Sequence, residues 1–147
     1  MINADESNGT ARLLAPQIGM QFDHPTRQYA AADELVVCYD IAGVAPAAVR
    51  ALERSVLWYT EGKGEEDLGV HHFERVDDTA GIGEALPTGT IAVRLPASPL
   101  SYEGVIVKIR WCVRIRLFFA TGRDFVSEHV FDVGDIPPAR GTVERLP

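Results

Sequence analysis

The sequence is short of positive charge, of cysteine and of long apolar runs, and each shortage removes a class of protein. Only 14 Lys and Arg stand against 21 Asp and Glu, for a formal net charge of −7. A domain that grips nucleic-acid phosphates carries a basic footprint, so the overall balance argues against nucleic acid. No apolar run approaches the roughly 18 residues that a membrane helix needs. The first residues, Met1 to Glu6, are acidic and lack the basic and apolar regions of a secretion signal. The expectation is a soluble cytoplasmic protein with no membrane span.

The two cysteines, Cys38 and Cys112, lie far apart in apolar stretches. They form no C-x-x-C pair and no zinc spacing, so buried free thiols are expected rather than a disulfide. Catalytic signatures are also missing. There is no G-x-S-x-G, no H-E-x-x-H and no phosphate-binding loop. Gly62-Lys63-Gly64 has no strand–loop–helix setting and reads as a turn. Ser101 and Ser127 have no His and Asp that sequence alone can place beside them. No catalytic residue, cofactor site or metal site is expected.

What remains is a chain of 147 residues, 46% hydrophobic and 24% charged. That composition excludes disorder for most of its length. A chain this long can bury roughly two-thirds of its surface, enough for one core without metal or disulfide. Residues 1–17 are polar and without period and read as a loose segment. Residues 18–138 form the domain, and 139–147 are a tail.

The strand candidates are short and separated by Gly, Pro and Asp. Residues 35–41 are one. In residues 48–60 a helix over 46–54 is possible, since Pro46 suits a first turn, but strand is the preferred reading for the whole segment. Residues 61–67 are a polar glycine loop, 70–76 a strand, 77–87 a loop and 89–95 a strand. In residues 105–119 every odd position is apolar, while Lys108, Arg110, Arg114 and Arg116 occupy even ones. Alternation so sustained is a half-buried strand, and its length predicts a bulge or bend within it. A turn at 121–124 leads into a return strand at 125–131. About seven short strands with little helix predict an all-β fold, an immunoglobulin-like antiparallel β-sandwich.

The stretch Leu95-Pro96-Ala97-Ser98-Pro99-Leu100-Ser101-Tyr102-Glu103-Gly104, followed by the alternating run from Val107 to Ile115, resembles the arrestin-like β-sandwich domain. The likeness is to the arrestin N-terminal and retromer-subunit type, as a single-domain, bacterial-type member. Such domains carry a strand ending in Leu-Pro, a proline-rich turn, Ser-aromatic-x-Gly, and a long alternating strand with a central aromatic. Residues 55–64 fit the preceding strand and loop, and the likeness spans about 33–134. It implies an arrestin-type sandwich and non-catalytic scaffolding or partner binding. Arrestins carry two sandwiches and this chain has room for one, so their polar core and receptor loops do not transfer to it. Within the motif, Pro96 and Pro99 end the strand because neither can donate a ladder hydrogen bond. Gly104 is expected to supply backbone freedom, and Tyr102 to cover the end of the core.

Lys108, Arg110, Arg114 and Arg116 share one strand face. Either acids on neighbouring strands, such as Glu53 or Glu128, pair with them, or they form a cationic strip for an acidic or phosphorylated partner. They are the candidate partner-binding residues. An open sheet edge would also allow a homodimer. Two alternatives come from other classes. An exposed Trp58 and Trp111 would suit a small-ligand or carbohydrate-binding sandwich, although core packing is the default for both. A metal-dependent hydrolase would be built on His71, His72 or His129. Against it, neighbouring residues of a strand point to opposite faces, so His71 and His72 cannot easily share one ion.

Overall fold

The computed structural model describes residues 15–64 and 66–135. The proposed tail at 139–147 and most of the proposed loose segment at 1–17 lie outside them. The strands are β1 (Gln17–Phe22), β2 (Gln28–Tyr29), β3 (Glu34–Ala42), β4 (Val49–Gly62), β5 (Leu68–Val76), β6 (Thr88–Arg94), β7 (Tyr102–Glu103), β8 (Val107–Phe119) and β9 (Asp124–Val133). A 3-10 turn, Pro46–Ala48, precedes β4, and a helix α1 (Thr79–Ala85) links β5 to β6.

Two sheets face each other. One runs β1-β3-β6; the other runs β2-β9-β8-β4-β5, with β7 continuing the edge of β8. Every pairing is antiparallel except the short one between β2 and β9. The fold is an all-β sandwich, as the strand pattern and turn residues predict.

Alternation sets what faces inward. On β3, Leu35, Val37, Tyr39 and Ile41 are buried while Cys38 and Asp40 are exposed. On β8, Trp111, Val113, Ile115 and Leu117 enter the core. Opposite Trp111 in register is Trp58, which packs against the core from β4. Both tryptophans are therefore interior residues, and the aromatic platform that a sugar-binding sandwich would need does not form from them. Phe22, Tyr29, Phe131 and Trp111 continue the core as tilted and edge-on rings with centroids 5.7–6.5 Å apart.

Several expectations need correction. Residues 77–87 are not all loop. Asp78 caps α1 by accepting from the Gly81 N–H at 3.0 Å, and Ile82 and Ala85 bury one side of it. Gly81 and Gly83 hide this helix in the sequence, since glycine disfavours helix by about 1 kcal/mol each. The long strand starts at Val107 rather than 105, because Val105 and Ile106 are exposed at 66% each. Its expected irregularity lies instead on β4 beside it and on β5 one strand further out. The register skips Arg50 on β4, opposite the end of β8, and skips His71 on β5. Gly104 is required by crowding instead of by backbone freedom, since a Cβ there would sit 2.7 Å from the Val107 carbonyl oxygen. Tyr102 is 53% exposed and covers no core. Both cysteines are free, but Cys38 is exposed and only Cys112 is buried.

Candidate interaction surface

The outer face of the larger sheet carries five of the nine large apolar side chains that stand exposed among the described residues. Register shows which side chains share it. Val70, Leu57, Cys112 and Val130 form one row across β5, β4, β8 and β9. On one side of that row lie Leu68, Tyr59 and Arg110; on the other lie Phe73, Ser55, Arg114 and Glu128. Beyond these come Arg75, Glu53, Arg116 and Val126. Leu68, Val70 and Phe73 are 53–54% exposed, and Val126 and Val130 are 44% and 36% exposed. Leu57 and Cys112 are covered by these neighbours, although they point away from the core. That burial pushes the Cys112 thiol up to about 12, which keeps it protonated and unreactive.

All four cations predicted for one face are on it, and each meets a carboxylate. Lys108 Nζ lies 3.1 Å from Glu103, and Arg110 Nε donates to Glu61 at 2.6 Å. Arg114 lies 2.6 Å from Glu128, and Arg116 lies 2.7 Å from Asp124. Glu53 pairs with Arg75 at 2.6 Å instead of with a cation of β8. The Arg75 and Arg116 guanidinium groups also lie over the Phe118 ring at 5.1 and 4.7 Å. These pairs are partly exposed, so each contributes about 0–1 kcal/mol to stability. Their larger effect is on the field of the face. Repulsion along β8 is cancelled strand by strand, and little net positive potential is left. A cleft of about 440 Å³ opens beside the row, between Tyr59, Leu68, Arg114 and Glu128.

The histidines do not converge. His71, the extra residue of the β5 bulge, swings toward the other sheet. Its Nε2 lies 2.7 Å from the Arg94 carbonyl oxygen, and its ring stands edge-on to Trp111. His72 pairs with Glu74 at 2.8 Å, and Glu74 also holds Arg54. Arg54 points inward and donates to the Tyr39 hydroxyl at 3.1 Å, so this polar network closes the β5 side of the sandwich. His129 lies on β9, with two strands between it and β5. Among the described residues no group of three His, Cys, Asp or Glu could hold a metal ion. Nothing in the geometry therefore supports the hydrolase alternative.

Sequence reasoning missed one pair. The Ser127 hydroxyl lies 2.7 Å from His129 Nε2, because residues two apart on β9 share its inner face. The signal was present as Ser-x-His on an alternating strand. Among the described residues no carboxylate is hydrogen-bonded to the His129 ring, so the arrangement is two-thirds of a triad and reads as a satisfied polar pair.

The titrating groups predict acid sensitivity. Burial holds the His129 pKa below 6.5, with the Arg27 charge adding to it. Burial raises the Glu74 pKa, but the His72 hydrogen bond and the Arg54 charge outweigh it, leaving the pKa below 4.5. Both folded values are depressed, so both contributions are complete above the unfolded value and are lost as pH falls through the folded one. Stability is expected to decline first below pH 6.5, through His129, and again below 4.5, through Glu74. Denaturant midpoints measured across pH check this. His129→Gln is expected to remove the first decline and leave the second.

Against known proteins, no family profile and no curated protein matches the sequence. A solved structure does. The sporulation control protein Spo0M from Bacillus subtilis is similar over 82% of this chain, at 14% identity and a TM-score of 0.55. This chain spans 50% of that protein's chain. Spo0M has an arrestin-like fold. At this identity the likeness carries the fold alone, and it supports the arrestin-like form of the sandwich. Among the described residues no helix is long and apolar enough to cross a membrane.

Proposed function

We propose that this chain is a non-enzymatic protein-interaction module of the cytoplasm, a scaffold that binds through the outer face of its larger sheet. The observation that carries the reading is two sets of exposed apolar side chains on this face, Leu68, Val70 and Phe73 on β5 and Val126 and Val130 on β9, with paired charges between them. Isolated exposed apolar residues are ordinary on any surface, but five gathered on one sheet face among paired charges favour an interface. Lys108, Arg110, Arg114 and Arg116 belong to that frame, where they orient a partner instead of attracting one over distance. The exposed free thiol of Cys38 supports a reducing compartment. A regulatory protein of similar fold, Spo0M, is compatible with a role of this kind.

The test is affinity capture with the wild-type chain, with Val70→Glu and with Arg114→Glu. Val70 is exposed, so its substitution is expected to abolish specific binding while the melting temperature holds. Capture that survives Val70→Glu undiminished contradicts the assignment of this face.

A further inference from the structure

We propose that the partner on this face is a second copy of the same chain. Two sheets would pack outer face to outer face about a two-fold axis running parallel to the strands, between β4 and β8. This rests on the reading of the outer face as a binding surface and names its occupant.

The argument is one of self-complementarity. An isologous interface must match itself. On this face the β4–β8 register pairs are Glu53 with Arg116, Ser55 with Arg114, Leu57 with Cys112, Tyr59 with Arg110, and Glu61 with Lys108. Each pair joins opposite charges, a hydroxyl and a cation, or a cation and an aromatic ring, apart from Leu57 and Cys112, which are apolar and covered. A two-fold axis between the strands lays β8 of one copy over β4 of the other. Arg116 of one copy then meets Glu53 of the other, Lys108 meets Glu61, and Arg110 meets the face of Tyr59. The same axis lays β9 over β5, bringing Val130 onto Val70. An in-plane axis perpendicular to the strands, along the apolar row, would instead oppose Arg110 to Arg114.

Charge selects the same occupant. The chain as a whole carries −7, so two copies repel over most of their surfaces. On this face each of Arg75, Lys108, Arg110, Arg114 and Arg116 has a carboxylate beside it. A neutral face can meet its own copy without that penalty, and it exerts little pull on an acidic or basic stranger. The edges of the sheet are poorer sites for self-pairing. β2 has two residues, and β5 is broken by the His71 bulge.

Four strands about 4.8 Å apart and about 26 Å of strand length give a footprint near 500 Å² per copy. About 1,000 Å² in total is at the low end for a specific interface, so the dimer is expected to be weak and concentration-dependent.

Sedimentation velocity over a wide concentration range tests this. The wild type is expected to move from monomer to dimer. Val130→Glu is expected to raise the dimer dissociation constant at least tenfold with little change in melting temperature. Charge reversal gives the sharper arm. Glu53→Arg alone and Arg116→Glu alone are expected to stay monomeric, while an equimolar mixture of the two forms a heterodimer. That rescue cannot arise within one chain, so it separates the interface from any loss of folding. A wild type that stays monomeric at every concentration overturns self-pairing, as does a dimer indifferent to Val130→Glu. If the monomer still loses a captured partner on Val70→Glu, the interaction reading stands and only its occupant is wrong. If nothing is lost, both fall.

Discussion

Trp111→Ala is expected to cost about 3–5 kcal/mol of stability, the range for removing a large aromatic from a packed core. Trp111 is fully buried at the centre of β8. Its ring contacts Phe131 at 6.1 Å and His71 edge-on at the same distance, and its indole N–H donates to the Pro99 carbonyl at 2.9 Å. Alanine would empty a space that two sheets cannot close together, and it would leave the Pro99 carbonyl without its donor. Against a typical total of about 5–15 kcal/mol, the variant would sit near the limit of folding. Urea unfolding followed by circular dichroism measures the change. Trp111→Phe weighs the two causes against each other, because it keeps most of the volume while losing the hydrogen bond; a loss of about 1–2 kcal/mol is expected there.

Gly62→Ala is expected to be the most damaging of the conservative exchanges, at about 2–4 kcal/mol, with strain and overlap combining. Gly62 ends β4 with φ at +133°, a region that side chains rarely enter. A Cβ there would also lie 2.1 Å from the Ile106 carbonyl oxygen, a backbone atom that no rotamer change can move. Gly122 supplies the control. It has φ at +94° in the β8–β9 hairpin, with nothing within 4 Å of its would-be Cβ. Gly122→Ala is expected to lose about 1 kcal/mol from strain alone. The difference between the two melting temperatures measures the overlap. Equal losses would mean that the 62–63 turn can shift away from Ile106.

The core strands were legible because they alternate cleanly. β3 and β8 each send one parity of side chain into the core, and that period survives any tertiary arrangement. β1 was not recognised as a strand. Gly19 interrupts it, and its six residues gain meaning only from pairing with β3. The α1 helix was hidden by its glycines, although Asp78 and the spacing of Ile82 and Ala85 were a readable cap and face.

The candidate surface was half legible. Four cations on one face of β8 follow from parity alone. Glu128 was foreseeable as a partner, lying opposite Arg114 across the hairpin. Glu61 and Glu103 were not, because they reach Arg110 and Lys108 from β4 and β7, whose positions depend on sheet order. The apolar row escaped for a related reason. β9 is apolar on both faces, with Phe125 and Phe131 inward and Val126 and Val130 outward, so alternation could not say which set was the core. The His71 bulge hid it further, by shifting Val70 and Leu68 onto the outer face against the parity of Phe73.

The central claim is that the outer face between Val70 and Val130 pairs with a second copy of the chain. The most direct measurement is a series of amide nitrogen–proton correlation spectra recorded as protein concentration rises. The account predicts shifts that grow together at Leu57, Val70, Cys112, Arg114 and Val130, with β1, β3 and β6 unmoved. Shifts confined to β1, to β6 or to the loop at Val105 and Ile106 would contradict it, and so would spectra that do not change at all.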